Sequence, residues 1–188
     1  QATFSVEGGA RAGKSGDGLM LSRTQPRPAD APDLRLDELQ NPIIDAYLDA
    51  LPDGVAPRIM GSRTAFVTGN GEDARELAQK GLRRQAENHR ASGQIVQGDT
   101  LDDYIRAFDV HLGTAAQVTA SLQADTALAR VTDLAFQVHS IDPPHPYILR
   151  SIELIARHVA PALGWVRRTP SRAVSTSSSD TTFSKEIQ

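Results

Sequence analysis

The chain has no cysteine among its 188 residues. That excludes disulfides, a thiol nucleophile and thiolate metal sites. Aromatic residues are scarce, at 5% with a single tryptophan. No apolar run approaches the roughly 20 residues that a membrane-spanning helix needs. The N-terminus lacks a basic start followed by an apolar stretch, so no secretory signal is read there. Together these absences predict a cytoplasmic protein with no membrane partner. An excess of one charge is missing too. The formal net charge is −3, which gives no whole-molecule field to recruit nucleic acid or an anionic surface. Metal-ligand spacing is also lacking. His139, Asp142 and His145 form the one suggestive set, but two prolines intervene and the spacing fits no helix face, so no metal site is expected.

What is present is ordinary globular material. Hydrophobic content is 39% and charged content 23%, enough for one domain with a real core. The most informative stretch is residues 2–23. Its first half is small and glycine-laden, with Ser5 as an N-cap candidate, and it breaks at Gly16-Asp17-Gly18. A short apolar run, Leu19-Met20-Leu21, then ends in Ser22-Arg23. This reads as helix, turn, buried strand and polar strand end, one αβ unit of a parallel sheet. Gly8-Gly9 does not follow a strand with the G-x-G-x-x-G spacing, so a dinucleotide fingerprint is rejected.

Residues 24–41 read as a long polar connection containing Pro26, Pro28 and Pro32. Asn41-Pro42 reads as the start of a helix that stops at Pro52-Asp53-Gly54. Residues 58–67 form a second strand, and residues 72–91 a surface helix with Ala74, Leu77, Ala78, Leu82 and Ala86 on one stripe. Capping boxes at Thr100 and Thr114 predict two further helices, separated by Gly113. Residues 133–139 form a third strand. Leu134, Phe136 and Val138 make its apolar face; Ala135, Gln137 and His139 make the other. A last helical segment follows Asp142-Pro143-Pro144 and runs to Gly164. Strands alternating with helices mean βαβ units. Three strands cannot close a barrel, and the chain opens on a helix at Gln1, so the expectation is the C-terminal part of a larger protein.

In this order and spacing the segments resemble the luciferase-like flavin monooxygenases. The run from Thr3 to Arg23 is similar to that family's small-residue turn, helix and Ala/Gly-Asp-Gly strand start. Thr3-Phe4-Ser5 stands in place of the usual Gly-Gly-Ser, and Gly16-Asp17-Gly18 opens the strand. Arg63 to Val67 followed by Glu72-Asp-Ala-Arg75 resembles the penultimate strand and helix, and Gly113-Thr-Ala-Ala-Gln-Val118 resembles a Gly-Thr-Pro helix start. Asp133 to Ser140 is similar to the last strand, and Ser151 to Leu163 to the closing helix.

The resemblance implies an α/β fold, the C-terminal half of a (β/α)8 TIM barrel over residues 1–166, with residues 167–188 as a Ser/Thr-rich tail. It implies a monooxygenase acting on a small organic molecule with O₂ and reduced FMN, the latter supplied by a separate reductase. It also implies an N-terminal barrel half as partner, within the same protein or as another chain, and a dimer. Two rivals stay open on the same barrel: an F420-dependent oxidoreductase and a non-catalytic subunit.

The site residues follow from strand ends. Thr3 and Ser5 lie where a strand would hand over to a helix, where free N–H groups and the dipole suit a phosphate. Ser22 and Arg23 lie at the C-terminal end of a strand, the functional face of such barrels. Arg27 is a weaker anion candidate. His139 ends the last strand and is the candidate catalytic acid–base or donor group. Each has a plainer reading: Ser5 as a cap, the arginines as solvated loop residues, His139 as a hydrogen-bonded structural histidine.

Overall fold

A computed structural model describes residues 1–165. The tail read at 167–188 lies outside the described residues. The first helix, α1 (Val6–Lys14), is capped by Ser5, whose hydroxyl accepts from the Gly8 amide at 3.1 Å. Its glycines serve close packing. A Cβ at Gly9 would stand 2.5 Å from the Ile43 carbonyl oxygen, and one at Gly13 would stand 2.2 Å from that of Tyr47. Both acceptors belong to the next helix, α2 (Leu36–Asp49), so the small-residue face lets two helix backbones touch. Between them lies β1 (Leu19–Leu21).

Three boundaries differ from the sequence reading. Helix α2 begins at Leu36, not at Asn41-Pro42, and carries Pro42 inside it. The reason is tertiary. The Leu36 amide donates to Asp109 Oδ1 at 3.2 Å, a cap from 73 residues away, and Glu38 accepts from the Arg35 amide at 2.8 Å. Next come β2 (Ile59–Val67), α3 (Gly71–Ala91) and α4 (Leu101–Ala107). A fourth strand, β3 (Val110–Gly113), then stands where the sequence showed only a helix boundary. Four residues are too few for a periodicity signal, and β3 exists by pairing with Thr64–Val67 of β2. Helix α5 (Ala115–Gln123) opens on the predicted Thr114 box. The last strand, β4 (Asp133–Gln137), stops two residues early because pairing to β2 ends at Thr64. The described residues close with α6 (His145–Leu154), a π-helical segment Ile155–Val159 and a short turn at Ala160–Ala162.

All strand pairs are parallel. On β2, Met60 pairs with both Met20 and Asp133, and Thr64 with both Val110 and Gln137. A strand residue has one neighbour on each edge, so β1 and β3 share one edge of β2, and β4 takes the other. Ala2 bridges to Met20 on the far side of β1. Ala2, β1, β2 and β4 therefore lie side by side in chain order, with helices between.

Paired residues of parallel strands share a face. Leu19, Leu21 and Ile59 are buried with Ala12, Ile43, Ile44 and Tyr47. Further along the same face, Ala65, Val67 and Val138 pack against Val118, Leu122, Leu154 and Val159. The opposite face carries Met20, Met60, Ser62, Thr64, Ala135 and Gln137. Met20 is 46% exposed there. The far end is covered: Thr64 is 2% exposed, and Phe66 lies buried beneath α3 and α4.

Candidate functional site

The predicted residues gather at one end of the sheet, the C-terminal ends of its strands. Arg23 lies just beyond β1, Thr64 is in the second half of β2, and Gln137 ends β4. The Arg23 guanidinium bonds both of the others: Nε donates to Gln137 Oε1, and Nη1 donates to Thr64 Oγ1 at 3.2 Å. Gln137 continues the chain, its Nε2 lying 3.0 Å from His139 Nε2. So two residues 116 positions apart in sequence, Arg23 and His139, are joined through one amide. Gln137 faces away from the helix-packed layer that buries Val138, so the alternation read from sequence is the one realised.

Arg23 is unusual in its partners. Ten arginines of the described residues pair with a carboxylate within 4.0 Å. Arg23 is not among them, and neither are Arg11, Arg58 and Arg83, but those three are exposed whereas Arg23 is half-buried. Its bonds go to neutral groups only, and burial pulls its guanidinium below the usual arginine range. An arginine stays charged under such a shift. The site thus holds a desolvated cation without a counter-ion.

The other predicted residues border it. Ser22 lies next to Arg23; its carbonyl accepts from Gln40 Nε2 at 2.8 Å, which ties the strand end to α2, and its hydroxyl lies 3.2 Å from Thr24 Oγ1. Thr3 and Ser5 form the cap of α1: the Ser5 amide donates to Thr3 Oγ1 at 3.1 Å. The plainer reading of Ser5 is therefore realised, whatever else it does. The amides of Val6 and Glu7 in the same turn have no acceptor among the described residues. Gln25 links this turn to the site, its Nε2 donating to the Phe4 carbonyl at 3.3 Å. Gln25 is 5% exposed, and its Oε1 has no partner among the described residues.

Arg27 belongs elsewhere. It donates to Asp109 Oδ2 at 2.5 Å and to the Leu34 carbonyl at 2.8 Å, so it fastens the connecting loop rather than waiting for an anion. Asp109 sits at φ 48°; burial raises its carboxyl above the usual range, although Arg27 opposes this. Beside this clasp opens a groove of about 990 Å³ lined by Arg23, Gln25, Pro28, His89, Val96 and Phe108 among others.

Sequence reasoning did not find Thr64 or Gln25. For Thr64 a signal exists, because Ser62 and Thr64 alternate with Arg63 and Ala65 along β2. For Gln25 there was none, since its place depends on how the loop returns to Phe4.

No family model and no curated protein matches this chain. Several solved structures do resemble it. The monooxygenase RslO1 from Streptomyces bottropensis superposes with a TM-score of 0.59 at 21% identity, over 86% of this chain and 47% of that one. Apo-MsnO8 gives 0.54 at 16% identity, over 89% and 51%. The oxygenating constituent of 3,6-diketocamphane monooxygenase from Pseudomonas putida, a type II Baeyer–Villiger enzyme solved with FMN, gives 0.51 at 18%, over 85% and 46%. The chain thus spans about half the length of these structures. At such identities the likeness is one of fold: a parallel α/β arrangement shared with monooxygenases, one of them a flavin complex.

Proposed function

We propose that this chain is the C-terminal half of a luciferase-like (β/α)8 barrel and forms part of a flavin-dependent monooxygenase site. The observation that carries the reading is Arg23: half-buried, without a carboxylate, held by Thr64 and Gln137 beside His139 at the strand ends. The side-by-side order of Ala2, β1, β2 and β4 supports the barrel, because successive barrel strands are neighbours. The uncovered sheet face at Met20 supports a partnering N-terminal half.

The residues suit FMN through its phosphate. The unpaired amides of Val6 and Glu7 and the hydroxyl of Ser5 offer donors to an anion at a helix N-terminus, and Thr3, whose hydroxyl donates to the Ser5 carbonyl at 3.4 Å, can turn its O–H to join them. Glu7 adds a negative charge to the same turn, which makes Arg23 the cation the site depends on. The unpartnered Gln25 Oε1 offers an acceptor to an N–H or O–H of a bound molecule. Reduced flavin, when bound, supplies the electrons that split dioxygen and place one oxygen atom on the substrate. The chain's own part is to hold the phosphate, to orient the ring system at the strand ends and to present His139 as a proton-holding group toward the barrel mouth. An F420-dependent dehydrogenase would differ in consuming no oxygen.

Binding isotherms for FMN and riboflavin, measured on the complete protein, test the reading. Loss of charge-assisted bonds worth about 1.5–3 kcal/mol corresponds to roughly tenfold or more in affinity. The pair Ser5→Ala with Arg23→Ala is therefore expected to weaken FMN at least about tenfold and riboflavin hardly at all. Equal weakening of both would place the phosphate elsewhere.

A further inference from the structure

We propose that Gln137 is a positioning residue that sets the tautomer of His139, under the control of Arg23. The inference rests on the reading of His139 as a site residue, but its test does not depend on flavin. A guanidinium can only donate. Arg23 Nε points at Gln137, so the atom it meets must be the amide oxygen, as found. Thr64, which accepts from Nη1 at 3.2 Å, holds the guanidinium in that pose. The orientation of the Gln137 amide is thereby fixed, and its nitrogen is turned to His139 Nε2 at 3.0 Å. An amide nitrogen can only donate as well. His139 Nε2 must then accept with its lone pair, and a neutral ring carries its proton on Nδ1.

Position along β4 makes this possible. Gln137 and His139 are two residues apart and share a face, while Val138 is anchored in the layer beneath. Gln137 is the last paired residue of the strand, so its side chain is carried on rigid backbone while His139 follows just past it. The consequence for the site is definite. The neutral ring offers Nδ1–H, not Nε2–H, as its free donor, and an anion that draws Arg23 away from Gln137 releases the amide and the ring together. Binding at the arginine and the proton position at the histidine are coupled through one side chain.

The test is nitrogen NMR of the full chain labelled with ¹⁵N-histidine at about pH 9, above the ordinary histidine range. The five histidines are assigned with His139→Asn. In the unsubstituted protein the His139 signals are expected to show a protonated Nδ1 and a bare Nε2. Gln137→Glu presents a carboxylate that accepts from both sides, so the pattern should reverse to a protonated Nε2. Arg23→Met and Gln137→Met should each give the mixture of an unconstrained ring. A protonated Nε2 in the unsubstituted protein would overturn the proposal on its own, even if no variant folded. So would a pattern that Gln137→Glu and Gln137→Met both leave unchanged. Failure of FMN to bind would count against the function proposed above while leaving this result standing.

Discussion

Two arginines sit on opposite faces of the same sheet, and their surroundings differ in kind. Arg63 is fully buried on the helix-covered face. Its Nε and Nη2 meet Asp125 at 2.6 and 3.2 Å, Nη2 also reaches Gln40 Oε1 at 2.9 Å, and Nη1 reaches the Ser62 carbonyl at 2.8 Å. Asp125 in turn accepts from the amides of Ala127 and Leu128. Every charge there has its opposite, and the cluster joins β2, α2 and the turn after α5. Arg23, on the open face, has only a threonine hydroxyl and an amide oxygen. A closed network of that kind holds a structure together; an arginine left without its acid is positioned to receive one. The same side chain serves architecture on one face and, in the function proposed above, recognition on the other.

The comparison makes graded predictions. Arg63→Ala removes one partner of a buried pair and leaves Asp125 uncompensated, so thermal or urea unfolding should register a loss of about 3–5 kcal/mol. A change below about 1 kcal/mol would mean that the face is open to water. The next effect is one of pH. His111 is buried on the architectural face, with Nδ1 2.8 Å from Ser121 Oγ, and desolvation lowers its pKa from 6.5 to about 4 despite Asp125 nearby. Between these values the unfolded chain binds a proton that the native ring refuses. Stability is therefore full above pH 6.5 and falls as pH drops toward 4, by about 3 kcal/mol in all. Urea midpoints measured across that window should flatten in His111→Gln relative to the unsubstituted protein. A slope unaffected by the substitution would assign the acid loss to other groups.

On the open face the same substitutions should spare the fold. Ser5→Ala with Arg23→Ala should cost the tenfold or more in FMN affinity given above while lowering stability by about 1 kcal/mol, chiefly through the lost cap. A large fall in melting temperature would class Arg23 with Arg63. The smallest expected effect is that of His139→Ala on stability, within about 0.5 kcal/mol as for other exposed positions, together with slower oxygen transfer or more uncoupled peroxide. A cooperative loss of stability with coupling unchanged would place His139 in the architecture.

Much of the fold was legible because its signals are local. Ser5, Thr100 and Thr114 announce their helices through side chains that reach amides three residues on. The alternation of Leu134 to His139 fixes which residues of β4 share a face, and Ser22-Arg23 follows the short apolar run Leu19-Met20-Leu21, read as a buried strand and found with Leu19 and Leu21 in the core. The start of α2 was not legible, because the carboxylate that caps it belongs to Asp109. Arg35 has no capping side-chain chemistry to give it away, whereas Asn41-Pro42 imitates a start so well that it draws the boundary inward. Strand β3 was not legible either, since four residues become a strand only when β2 offers them an edge.

The candidate site divides along the same line. The amino-acid sequence by itself determined that Thr3, Ser5, Ser22, Arg23 and His139 stand at strand and helix ends, because the alternation of apolar runs with turns is written within each segment. Tertiary structure alone decided that Arg23 would reach Thr64 and Gln137 while Arg27, four residues later, closed on Asp109. A charge finds its partner across the sheet through space, and spacing along the chain carries no record of which acid will be near.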